Sequence, residues 1–149
     1  MNIRFLTRAG IIAALYTALT YALAPFSYGP VQLRVSEALT VLPILFPEAI
    51  AGLFVGVLLS NILGGLGPWD IFGGSTVSLL AAYLTYRYKD NLIAYLSPVI
   101  LNGILISLYL SVLYGVPYWL TVLSISASEA IVVFGLGYPL IRLLRRQSL

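Results

Sequence analysis

Cysteine and histidine are both missing from these 149 residues. With neither thiol nor imidazole there is no disulfide, no thiolate nucleophile, no imidazole base and no usual zinc or haem site. Charge is scarce as well, at 9% of the chain. No G-x-x-x-x-G-K-[ST] phosphate loop occurs, and the glycine groups Gly64-Gly65-Leu66-Gly67 and Gly135-Leu136-Gly137 leave a dinucleotide fingerprint incomplete. Catalysis by this chain, a resident cofactor or metal, and ATP hydrolysis are therefore not expected.

What is present is apolar: 60% of the residues are hydrophobic and the mean hydropathy is +1.00, values that fit a polytopic membrane protein. A bilayer core of ~30 Å takes about 20 helical residues per crossing. The expected architecture is all-α, a bundle of six transmembrane helices in one domain covering residues 1–149, near 5–24, 35–46, 48–64, 71–88, 91–114 and 118–141. Alternation from a cytoplasmic amino terminus puts Arg4, Arg8, Arg87, Lys89, Arg142, Arg145 and Arg146 inside and leaves Arg34 outside, as the positive-inside rule requires. Both termini are expected in the cytoplasm of a plasma-membrane protein. Tyr109, Tyr114, Tyr118 and Trp119 would form an outer aromatic belt, and Tyr83, Tyr86, Tyr88 and Tyr95 an inner one. A cleaved signal peptide ending at Ala22-Leu23-Ala24 is the competing reading of the first segment. It is disfavoured, because losing that helix turns the remaining basic clusters to the wrong side. Topology accounts for the net charge of +3, so no nucleic-acid partner is expected.

Two segments carry small residues at every fourth position: Gly10, Ala14, Ala18 and Ala22 on the first, and Gly52, Gly56, Ser60 and Gly64 on the third. Such stripes let helix backbones approach closely, either inside the bundle or against a partner. Docking on a partner is the reading for the first stripe only. Residues 35–46 span only about 18 Å at ~1.5 Å per residue and include Pro43, so this segment cannot cross alone. The preceding residues 25–34 should then dip into the outer leaflet as irregular backbone, which implies a cavity open to the outside. The loop Gly64–Asp70, with Trp69 and a carboxylate, is a second candidate lid.

Beneath these loops lie polar residues that hydropathy does not excuse: Asn61, Asn102 and Glu129. A carboxylate at the middle of a membrane helix costs about 3 kcal/mol on insertion scales, so Glu129 is the leading binding candidate unless Arg34 or Asn102 simply pairs with it. Asn102 is equally readable as interhelical glue. Arg34 and Glu37, three apart, fit either a local ion pair or ligand contact. Asp70 is a lid carboxylate or a helix cap. Glu48, at a helix start, reads as structural.

The run Tyr28-Gly29-Pro30-Val31-Gln32-Leu33-Arg34-Val35-Ser36-Glu37-Ala38-Leu39-Thr40-Val41-Leu42-Pro43 resembles the signature of the QueT queuosine-precursor transporters. Pro47-Glu48-Ala49-Ile50-Ala51-Gly52-Leu53, then Asn61, the glycine-rich loop and Asp70-Ile71-Phe72-Gly73-Gly74-Ser75, extend the resemblance over nearly the whole chain. It implies a substrate-binding S-component of an energy-coupling factor transporter, working with a membrane coupling subunit and two cytoplasmic ATPases. In that superfamily an A-x-x-x-A pattern on the first helix contacts the coupling subunit, and Ala14-x-x-x-Ala18 and Ala18-x-x-x-Ala22 match it.

The implied ligand is a 7-deazaguanine such as queuine or its aminomethyl precursor. One carboxylate accepts both the exocyclic amine and the ring N–H of such a base, a role that suits Glu129, with Asn61 and Asn102 at the other polar atoms. Glu37 or Asp70 would meet a cationic aminomethyl group, and Trp69 or Tyr28 would stack on the base. Gln32 and Arg34 complete the expected binding set. A sibling S-component for thiamine or riboflavin, a solitary secondary transporter, an intramembrane enzyme and a purely structural subunit remain as alternatives at this stage.

Overall fold

The computed structural model describes residues 2–28 and 32–147. Gly29, Pro30 and Val31, in the first expected lid, lie outside the described residues. Every regular element among the described residues is helical. Helix α1, Ile3–Ala22, starts where the Asn2 side chain accepts a hydrogen bond from the backbone N–H of Arg4 at 3.1 Å. The short α2, Ala24–Ser27, follows, with Pro25 in its first turn, where a missing N–H costs nothing. This corrects one expectation: the stretch after α1 is not irregular throughout, because Pro25 is pre-organised to open a helical turn.

Helix α3, Val35–Ile44, is a 3-10 helix, and α4 runs over Ala49–Leu63. Helix α5 opens with the wider π-helical turns of Trp69–Gly74 and continues as Ser75–Arg87. Helices α6, Ile93–Tyr114, and α7, Tyr118–Gln147, each contain a π-helical stretch, at Asn102–Ile106 and Val133–Gly137. Three of these elements, α1, α6 and α7, are long and apolar enough to cross a membrane; α3 and α4 are shorter apolar helices.

Helix α3 occupies the centre. All nine residues from Ser36 to Ile44 are buried, far longer than an isolated 3-10 helix persists in water, so packing on every side rather than local propensity holds it. Thr40 Oγ1 donates to Glu37 O at 2.6 Å, and Gly137 of α7 approaches so closely that a Cβ there would lie 3.0 Å from Val41. Around it Ile12, Tyr16, Leu39, Leu42, Leu53, Val57, Val133 and Ile141 form the core.

The α4 stripe is consumed by α1. A Cβ on Gly52 would lie 2.7 Å from the Ala9 carbonyl oxygen, and one on Gly56 would lie 2.9 Å from Tyr16 Cβ. Thr17 Oγ1 reaches across to Gly56 O at 3.2 Å. Glycine is required here for proximity, as small-residue packing predicts. The α1 stripe does the opposite: Gly10, Ala14, Ala18 and Ala22 are all exposed, and a Cβ on Gly10 would meet nothing within 4 Å.

The two ends of the bundle differ in charge. At one end Arg8 pairs with Glu48 at 3.2 Å and lies over the Phe46 ring, close to Leu144, while Lys89 and Arg145 line a neighbouring groove. Glu48 is thus an ion-pair partner of α1, and its side chain does not cap α4. At the other end lies a polar cavity.

Candidate functional site

Depth along the helices brings seven of the sequence-selected residues to one place. Gln32, Arg34, Glu37, Asn61, Asp70, Asn102 and Glu129 line a single cavity, joined by Ser78, Tyr109 and Ile125. Only ≈ 30 Å³ of it is reachable by the centre of a water molecule, room for about two waters.

Its rim is a hydrogen-bonded chain crossing four segments. Arg34 Nε donates to Ser27 O at 3.3 Å and Arg34 Nη1 to Asn61 Oδ1 at 3.2 Å. Asn61 Nδ2 donates to Asp70 O at 2.7 Å, and the Tyr109 hydroxyl donates to Asp70 Oδ1 at 2.9 Å. The π-helical opening of α5 matters here, because Asp70 offers a backbone carbonyl to α4 and its carboxylate to α6. No ion pair within 4.0 Å joins Arg34 to Glu37 among the described residues; the guanidinium donates to the rim and lies within electrostatic range of Glu37 and Tyr16.

The floor is acidic. Tyr16, on α1, is fully buried and its hydroxyl donates to Glu37 Oε1. Asn102 Nδ2, at the first residue of the α6 π-helical stretch, donates to Glu129 Oε1 at 3.1 Å. Glu37 and Glu129 lie within interaction range of each other and of Arg34. Among the described residues two buried acceptors, Glu37 Oε2 and Asn102 Oδ1, have no partner of good hydrogen-bond geometry, although the Glu129 carboxyl lies within hydrogen-bonding reach of Glu37; a ligand donor would relieve the cost of such acceptors. The available chemistry is therefore acceptor-rich. Three carboxylates, Glu37, Asp70 and Glu129, share the cavity with one cation, Arg34.

Two selected residues stand outside the cavity wall. Tyr28 lies over Gly64, donates to Ser60 O at 2.5 Å and holds its ring 5.6 Å from the Arg34 guanidinium carbon, so it braces Arg34. Trp69 is 60% exposed and lines a separate apolar groove with Phe72 and Leu105. Adjacent residues on a helix point about 100° apart, so Asp70 facing inward turns Trp69 outward. Tyr109, expected in the outer aromatic belt, is instead a cavity residue, whereas Tyr114 and Trp119 are exposed as expected. Tyr16 is the residue that sequence reading missed; a hydroxyl-tipped ring in the middle of an apolar helix, needing a partner, is the signal that marks it.

Residues 6–146 match the profile of the family described as QueT transporter. The chain belongs to that family. A curated relative, the queuosine precursor transporter QueT of Lactococcus lactis subsp. cremoris (strain MG1363), is 37% identical over 86 residues, covering 54% of this chain. The match spans 51%, about half, of that relative's own length. No solved structure matches this fold. Family membership together with three span-length apolar helices makes this a multi-pass plasma-membrane protein of a transporter family.

Proposed function

We propose that the whole chain acts as one substrate-binding domain, the S-component of an energy-coupling factor importer, and that its cargo is a 7-deazaguanine queuosine precursor bearing an amine. The observation that carries this reading is the pair of orphaned buried acceptors, Glu37 Oε2 and Asn102 Oδ1, beside the Glu129 carboxylate in one enclosed cavity. A guanine-like edge presents an amine next to a ring N–H, the donor pattern such acceptors need. Glu129 receives that edge, Asn102 and Asn61 meet the remaining ring atoms, and Glu37 or Asp70 pairs with the ammonium of queuine or the aminomethyl precursor. Three acidic side chains against one cation in the lining give these amines more acceptors than a neutral cyano analogue can use.

The cavity as folded is narrower than the ~300–1,000 Å³ of ordinary ligand pockets, so capture requires the Gln32–Arg34 segment and its rim bonds to move. The distribution of basic residues supports six crossings with both termini in the cytoplasm, which makes the cavity end the outer end. Delivery then proceeds by docking the exposed Gly10, Ala14, Ala18 and Ala22 face on a membrane coupling subunit that carries two cytoplasmic ATPases.

Calorimetric titration of the purified chain with queuine, aminomethyl-deazaguanine and cyano-deazaguanine, against guanine, thiamine and riboflavin, tests the cargo. Sub-micromolar binding of the two amines, with the controls silent, is the expected result. Silence to every deazaguanine from folded protein overturns it. Replacing Glu129 by Gln should weaken amine binding at least tenfold, ~1.4 kcal/mol; unchanged affinity removes Glu129 from the site.

A further inference from the structure

A second opening lies between the outer ends of α6 and α7, with ≈ 410 Å³ reachable by the centre of a water molecule, against ≈ 30 Å³ in the acidic cavity. The two spaces share walls: Gln32 and Ile125 line both. The helices explain why. Along α7, Thr121, Ser124 and Ile125 line the opening, and Ile125 and Glu129, one turn further, line the cavity. Residues at i and i+4 stack on one face, so a single α7 face leads from the opening to the buried carboxylate. On α6 the sequence repeats, with Tyr114 and Leu110 at the opening and Tyr109 and Ile106 at the cavity. Deeper down the same helices close on each other, since a Cβ on Gly103 would overlap Ser126 Oγ. The seam is therefore wide outside and shut inside.

The geometry points to this opening as a subsite for the substituent that a deazaguanine carries at C7, with the base in the acidic cavity and a hydroxylated ring on a secondary amine lying between α6 and α7. The assignment rests on the deazaguanine reading above and adds to it a place for the largest variable group of the ligand. The inner cavity must already widen to take the base, while the opening is of ordinary ligand-pocket size without rearrangement. Its lining suits the chemistry. Leu110, Leu120 and Ile125 offer apolar walls to a five-membered carbocycle, and Gln32, Thr121 and Ser124 are polar lining residues suited to a diol. The amine linking ring and base would sit at the shared wall, next to Gln32 and within reach of the carboxylates below.

The test compares queuine, which carries the hydroxylated ring, with aminomethyl-deazaguanine, which does not, by calorimetric titration of the full chain and of two variants. Ser124→Phe fills the opening without touching the cavity. It should weaken queuine binding at least tenfold and leave aminomethyl-deazaguanine within about twofold. Ser124→Ala, which is too small to disturb packing, should weaken queuine alone by a few-fold, and it keeps the test alive if the Phe variant does not fold. Equal losses for both ligands, or no loss for queuine in either variant, overturn the subsite while the deazaguanine reading stands. Wild-type protein that binds aminomethyl-deazaguanine but not queuine also overturns the subsite. Wild-type silence to both ligands overturns the reading on which it rests.

Discussion

Helix α1 has two faces built largely from small residues, and they meet different fates. The inner face, Ala9, Ile12, Ala13, Tyr16 and Thr20, is buried against the glycine stripe of α4, with Tyr16 reaching through to Glu37 of α3. The outer face, Gly10, Ala14, Ala18 and Ala22, is exposed along its whole length. In sequence the two four-residue periodicities of α1 and α4 look alike. In the structure one is occupied by a neighbouring helix and the other faces outward. A membrane gives no hydrophobic reward for covering either, because lipid is as apolar as the side chains. Close approach of backbones is what distinguishes them, and only the α4 stripe has it. The α1 outer face is thereby left as the surface suited to a partner that binds and leaves.

The strongest way to break that contrast is to place the same bulky residue on each stripe. Gly56→Leu drives a side chain into Tyr16 and the Ala13 backbone, where the nearest atoms already lie 2.9 and 3.2 Å from a bare Cβ. Backbone cannot step aside as a flexible side chain can, so the cost should reach the upper part of the ~1–3 kcal/mol range for overpacking. The expected readout is a clear fall in thermal unfolding temperature, or loss of monodisperse protein in detergent. Gly10→Leu, with open space at its Cβ, should leave the unfolding temperature unchanged. Equal destabilisation by both would erase the distinction between the faces.

A smaller effect is expected from Ala14→Leu, and it falls on another property. Residue 14 is exposed and away from the cavity, so ligand affinity measured on the solitary chain should not change. Ligand-dependent uptake in vesicles containing the coupling subunit and ATPases should drop about tenfold, ~1.4 kcal/mol of lost docking, because a leucine holds the two backbones apart. Undiminished uptake would show that coupling uses another surface.

The same contrast shows how much the sequence disclosed. Hydropathy located the helical segments to within a few residues, since burying unpaired backbone in lipid is so unfavourable that apolar length alone marks a span. It also found three residues of one cavity, Glu129, Asn102 and Asn61, because a charge or amide within a membrane helix is expensive and stands out, whereas Gln32, Arg34, Glu37 and Asp70 are marked by loop position and the family resemblance. Rotation about the helix axis was not legible. Trp69 and Asp70 are neighbours in the chain, yet only Asp70 reaches the cavity, and Tyr109 turns inward while Tyr114 does not. Each depends on a local winding, the π-helical turns at Trp69–Gly74 and Asn102–Ile106, that tertiary packing imposes. The 3-10 geometry of α3 was hidden for the same reason: no local preference favours ten such residues, and only the surrounding helices do.

Tyr16→Phe gives the finest test, because it alters the inner face without altering its shape. The phenyl ring keeps the contact with Gly56 and the burial of the core, so the unfolding temperature should move little. What is lost is the hydroxyl that donates to Glu37 Oε1. The variant leaves Glu37 with its interaction with Glu129 alone, so its carboxyl is aimed less firmly at the ligand. A hydrogen bond to a charged group contributes about 1.5–3 kcal/mol net to stability, and a part of it should appear as a loss of roughly fivefold in amine affinity. If Glu37 pairs with the ammonium, the loss should be larger for aminomethyl-deazaguanine than for the neutral cyano compound. Equal losses for the two would assign Tyr16 to the general architecture of the floor, and no loss at all would mean that the inner face of α1 supports the bundle without taking part in capture.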